Sequence, residues 1–184
     1  MIEMRNSRSR LKKLTPSEIE TIADQVAIGA LVFADLSTDP SKDLEFDLDR
    51  VISFEGETGP YLQYAHTRCL SILRKSGVSP VSELTVNLSA LDSKIEKQEE
   101  LMLIKTLGRF AETLDRTLDQ RKPSQLTTYL VDLTRDFGQF YRECKVMNPQ
   151  DPDLTQARLS LVYATRMVLG LGLDLLGIPK PEKM

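Results

Sequence analysis

Apolar residues recur at helical spacing through most of the chain, and the breaks fall at capping residues and turn formers. Thr15-Pro16-Ser17-Glu18 reads as a capping box with proline in the first turn. Behind it, Ile19, Ile22, Ala23, Val26, Ala27, Ala30 and Leu31 repeat at about 100° per residue, which predicts a helix over 16–35. Gly29 inside it costs about 1 kcal/mol relative to alanine, and close packing on another helix accounts for its presence. Residues 37–43 are turn formers. Phe46, Leu48, Val51, Ile52 and Phe54 alternate enough for a strand, but Asp47 is a good N-cap, and a short helix is the reading adopted. Thr58 then caps a helix over 59–76 with Pro60 in its first turn. Its core stripe is Leu62, Ala65, Cys69, Ile72 and Leu73.

From Gly77 to Asp92 the chain is polar, contains Pro80 and suits a long surface connection. Two long helical patterns follow. The first, 93–121, turns Leu101, Ile104, Leu107, Phe110, Ala111, Leu114 and Leu118 inward. The second, 123–146, carries Leu126, Tyr129, Leu130, Leu133, Phe137, Phe140, Tyr141 and Cys144. Short loops between long amphipathic helices make them antiparallel neighbours. Asn148 to Asp153 is a loop ending in a capping Asp. A last helix over 154–177 is apolar on several sides and is expected to be the central, most buried one. Gly177 stops it, and Ile178–Met184 is an extended tail. The pattern as a whole predicts an all-α helical bundle.

Composition narrows the function classes. At 184 residues the chain can bury roughly two-thirds of its unfolded surface, enough for one good core. No apolar run reaches membrane-spanning length; the best, Val168–Ile178, has Asp174 inside it. The basic residues before Thr15 lack the apolar segment of a signal peptide. This stretch, residues 1–14, is open to reading as an arm, an interrupted loop or a boundary. Cys69 and Cys144 fall on apolar faces and are expected to be free core thiols, with no metal site. The net charge of −3 excludes a globally basic nucleic-acid binder, so any RNA contact must come from a local patch. The one histidine, His66, has no second histidine to work with and reads as structural or surface.

One local patch stands out. Tyr61, Tyr64 and Arg68 lie at i, i+3 and i+7 beside the core stripe of their helix, with Lys75 near the same line. Two phenol rings and a guanidinium on one ledge offer π-faces and positive charge together, which an unstacked base and its phosphate can use.

The string Gly56-Glu57-Thr58-Gly59-Pro60-Tyr61-Leu62-Gln63-Tyr64-Ala65-His66-Thr67-Arg68 resembles the signature of arginyl-tRNA synthetases at the junction of catalytic body and anticodon-binding domain. The likeness extends through Ile28–Ser37, Phe46–Phe54, the F-Y-x-x-C-x-V string at Phe140–Val146, the R-L-x-L-V string at Arg158–Val162, the G-L-x-L-L-G-I string at Gly172–Ile178 and the terminal P-x-x-M. It implies a bundle of the anticodon-binding type found in class I aminoacyl-tRNA synthetases. Residues 1–54 would be a basic arm and a connecting helical segment at the end of the catalytic body, and 55–184 the bundle.

That resemblance implies bases received on Tyr61, Tyr64, Arg68, Tyr141 and the C-terminal Met184; Arg142 and Lys145 read as solvated charges, with phosphate contact as the alternative. Tyr141 can also be read as finishing the core, and Met184 as a frayed end. Arg158 and Arg166 read as ion-pair or surface residues. The implied partners are tRNA-Arg and an upstream catalytic domain of the same enzyme, in a cytoplasmic monomer. ATP and arginine belong to the full-length enzyme, and no cofactor is expected in this chain. One histidine cannot supply a HIGH-type motif, and the basic tract Met4–Lys13 is out of register for a KMSKS-type loop. No catalytic residue is therefore expected, and the chain alone should not activate arginine. The alternative is a helical interaction module on the same fold without an RNA role.

Overall fold

Thr15 opens the first helix as its capping residues dictate: its hydroxyl accepts from the Glu18 N–H, and the Glu18 carboxylate accepts from the Thr15 N–H at 2.8 Å. The computed structural model describes residues 14–39, 47–77 and 88–184, and every regular element among them is helical. They are α1 (Pro16–Ser37), α2 (Leu48–Val51), α3 (Gly59–Lys75), α4 (Leu88–Lys94), α5 (Gln98–Gly108), α6 (Phe110–Gln120), α7 (Pro123–Glu143) and α8 (Pro152–Leu175). The basic stretch up to residue 13 and the middle of the Gly77–Asp92 connection lie outside the described residues.

The core forms where α3, α7 and α8 meet. Leu62, Leu73, Leu130, Leu133, Phe137, Phe140, Val162, Leu169 and Leu173 are fully buried there. Each such side chain contributes about 1.5–3 kcal/mol of transfer free energy. α8 packs against α3, α4, α5 and α7, as expected of a central helix. Its outer side does not follow that expectation: Met167, Leu171 and Leu175 are exposed. α1 lies across α3 and α7. The α1 and α3 backbones touch at Gly29 and Gly59, where a side chain on Gly59 would collide with the Gly29 carbonyl. That close approach is the reason a helix interior tolerates Gly29. The inward face of α1 is centred on Gly29, Ala30 and Phe33, leaving Ile19 and Leu31 exposed.

The predicted helix over 93–121 is three pieces. α4 ends at Lys94, and Glu100 then accepts from the backbone N–H of Glu96 and Lys97, starting α5 afresh. A second break falls at Arg109, after Gly108. Residues 88–92, expected in a surface linker, belong to α4. The inward face also differs. Glu100, Leu103 and Thr106 are fully buried, whereas Leu101, Ile104 and Leu118 are exposed, Leu118 by 74%. A reading by apolar residues alone misses this rotation because two of the three buried positions are polar. Both are satisfied: Glu100 pairs with Arg158 at 2.7 Å, and Thr106 donates to Asp136 at 2.7 Å.

Both cysteines are buried and free, and burial pushes both thiols up, so they stay protonated and unreactive. Among the described residues no helix is long and apolar enough to cross a membrane, and no cluster of His, Cys, Asp or Glu could hold a metal.

Candidate nucleic-acid interface

Thr58 sets the direction of α3. Its hydroxyl accepts from the Tyr61 N–H at 3.2 Å and donates to the Ser53 carbonyl at 2.6 Å, pinning the first turn. With Leu62, Ala65, Cys69 and Leu73 turned into the core, Tyr61, Tyr64 and Arg68 are left half-buried along its edge. The edge faces the C-terminal part of α7. There the Arg68 guanidinium lies 4.1 Å from the centroid of the Tyr141 ring, and 5.9 Å from that of Tyr64. Tyr141 also packs on Phe137, with ring centroids 6.3 Å apart. One part of the ring thus leans on the core, as the core reading expects, and another meets Arg68.

Charge gathers around the rings. Burial raises the Tyr61 phenol, while the nearby Arg135 and Arg142 pull the other way. The phenol stays protonated near neutral pH and is available as a donor. Arg142 and Lys145 have exposed side chains at and just beyond the end of α7. Arg135 was not among the candidates from sequence. Its position seven residues before Arg142, on the same face of α7, is the signal that could have found it. It pairs with Asp132 at 2.9 Å and with Glu57 at 3.6 Å, linking α7 to the turn before α3. These exposed pairs add little stability.

The structure therefore brings Tyr64, Arg68 and Tyr141 into contact and places Tyr61 within reach of Arg135 and Arg142. The tail carrying Met184 runs along another line of α3. Thr67 donates to the Pro181 carbonyl and Arg74 pairs with Glu182, while Lys183 reaches Glu18 on α1. Met184 itself is half-buried, and no ring or polar contact joins it to the ledge among the described interactions. Arg158 is a buried ion-pair residue. Arg166 is half-buried, and its Nε has no hydrogen-bond partner among the described residues.

The described residues form a helical bundle that carries an aromatic–guanidinium ledge where α3 meets α7. Comparison with known proteins makes this specific. A family model described as the DALR anticodon binding domain matches residues 62–184. Arginine–tRNA ligases of Frankia casuarinae and Clostridium kluyveri are 42% and 40% identical, covering 93% and 90% of this chain and 28% of each relative. The fold is similar to an arginyl-tRNA synthetase of Thermus thermophilus, with a TM-score of 0.74 at 37% identity over 87% of this chain and 27% of that one. For the Plasmodium falciparum arginyl-tRNA synthetase the TM-score is 0.77 at 26% identity, over 98% of this chain and 30% of that one. The chain belongs to the DALR anticodon binding domain family, and it spans 28% of the length of the curated relatives just named.

Proposed function

We propose that this chain is the part of an arginine–tRNA ligase that reads the anticodon stem-loop of tRNA-Arg, supporting ATP-dependent attachment of arginine by a catalytic body. The observation that carries this is the contact of Arg68 with Tyr141 across α3 and α7, with Tyr64 beside it. A guanidinium held against a ring presents a flat, cationic platform, and Tyr61 and Tyr64 add further ring faces, so splayed bases can stack there. Arg142, Lys145 and Arg135 stand where they can meet phosphates, and Met184 would join from the tail. In this reading residues 1–54 connect to the catalytic body and 55–184 form the reading bundle. The unit works as a cytoplasmic monomer, and ATP and arginine bind the catalytic body. The chain alone should show no arginine-dependent exchange of pyrophosphate into ATP.

Affinity for tRNA-Arg beside a noncognate tRNA tests the reading. Tyr61→Ala and Tyr64→Ala should each cost roughly 1–3 kcal/mol per stacked base lost. Tyr→Phe should be milder, because the ring face remains. Arg68→Ala should weaken binding and flatten its salt dependence if the guanidinium meets a phosphate. Gln98→Ala, a surface change on α5, serves as the control. Parent-like affinity of both alanine variants would remove the ledge from the site.

The second reading, an interaction module without an RNA role, draws on a different observation. Leu91, Ile95, Leu101, Ile104 and Leu107 line an open apolar groove of about 470 Å³ between α4, α5 and α8. It predicts no preference for tRNA-Arg in the same titration.

A further inference from the structure

α3 presents two lines of side chains: one makes the ledge and the other holds the C-terminal tail. Gln63 is fully buried, and its Nε2 donates to the Pro179 carbonyl at 2.8 Å and to the Gln25 carbonyl of α1 at 2.9 Å. One turn on, the Thr67 hydroxyl donates to the Pro181 carbonyl at 2.8 Å. Further along, Arg74 donates to both the carbonyl and the carboxylate of Glu182. Tail carbonyls at 179, 181 and 182 thus meet a single line of α3.

The contact is chemically specific. Both partners of Gln63 are carbonyls, so only the amide NH2 can satisfy them, and its Oε1 is left buried without a partner among the described residues. An orphaned buried acceptor is costly, and an apolar side chain of similar size would avoid that cost if packing were the only task. Room for the amide comes from Gly29, where any side chain would overlap it. Gln63 is therefore the point at which α1, α3 and the tail are tied together.

Tyr64 directly follows Gln63, and Arg68 directly follows Thr67. We propose that the tail is a latch, and that Gln63 and Thr67 are positioning residues which, by seating it, fix how α3 presents Tyr64 and Arg68 to Tyr141. The coupling of latch to ligand rests on the RNA-reading function proposed above. Coupling is reciprocal: a ligand that favours the latched ledge must hold the tail down by the factor by which the latch tightens its binding.

The test uses the full chain and a synthetic hairpin with the anticodon stem-loop of tRNA-Arg. Carboxypeptidase release of Met184, Lys183 and Glu182 reports the latch, and fluorescence anisotropy of the hairpin reports affinity. Thr67→Val keeps the shape and removes the hydroxyl, Gln63→Leu removes the amide, and Thr67→Ser keeps the donor. The first two should speed tail release and weaken hairpin binding, each about fivefold or more. Thr67→Ser should behave like the parent, and hairpin should slow release from the parent. Tyr64→Ala should weaken binding without changing release from the free protein. Should Gln63→Leu fail to fold, Thr67→Val decides. Parent-like release from Thr67→Val overturns the latch, and faster release with unchanged affinity overturns its link to the ledge. A parent that binds no hairpin overturns the RNA reading and the coupling with it, while the release rates still decide the latch.

Discussion

Glu100→Ala should destabilise the protein by about 3–5 kcal/mol, the range for removing one partner of a buried ion pair. The carboxylate is fully buried, and Arg158 opposite is nearly so. One oxygen accepts from Arg158 Nε at 2.7 Å, and the other from the backbone N–H of Glu96 and Lys97. Truncation therefore strands a buried guanidinium and uncaps α5 at the same time. The damage should reach α7, because Arg158 also donates to the Lys145 carbonyl at 2.8 Å, just past the turn that carries Tyr141 and Arg142. Urea melts would measure the loss. Glu100→Gln should lose less, since it keeps an acceptor for the two N–H groups. Replacing both partners, Glu100→Leu with Arg158→Met, should recover most of the stability, because no uncompensated charge is left buried. A cost below about 1 kcal/mol for Glu100→Ala would mean that the pair does not hold this corner together.

That pair also shows where reading the sequence stops. Helices whose inner faces are mainly apolar, such as α3 and α7, can be placed from periodicity even though they also bury Gln63, His66, Thr67, Thr127 and Thr134, and their ends follow from Thr58, Pro60 and Pro123. Helix α5 cannot, because its inner face is Glu100, Leu103 and Thr106, and a carboxylate declares its burial only through a partner 58 residues away. On α1 the apolar repeat alone does not mark the inward face, because that face centres on Gly29, whose close packing was legible but which carries no apolar signal. The ledge was legible as a stripe on α3 because its three residues share one helix. That Tyr141 closes over Arg68 depends on how α7 packs, and that is a tertiary fact. Gln63 was silent for the same cause, since it acquires its role from neighbours distant in sequence, whereas Arg135 lay on the face of α7 that Arg142 marks.

Acidification from pH 6.5 to about 4 should cost up to about 3 kcal/mol of stability through one residue, His66. Its ring is buried between α3 and α8, and burial is the main reason its pKa falls to about 4. The positive charges of Arg166 and Lys180 push the same way, and Asp174 opposes them weakly. In the unfolded chain the imidazole takes up its proton near pH 6.5, while in the folded chain it stays neutral until about pH 4. Between those values the unfolded state binds more protons, so stability falls as pH falls. The full contribution is present above pH 6.5 and is lost by about pH 4. At about 1.4 kcal/mol per pH unit, that interval yields the 3 kcal/mol. His66 is the one histidine, and the carboxylates of Glu18 and Asp151 are held below their usual range, away from the upper part of the window. The check is direct, because a single histidine gives a single Cε1–H ring resonance. In the folded protein that resonance should show no titration down to pH 5, and urea midpoints should decline over the same interval. His66→Asn should flatten the decline between pH 6.5 and 5. A ring that titrates near 6.5 in the folded state would mean that water or a partner reaches it, and the acid sensitivity would have to come from elsewhere.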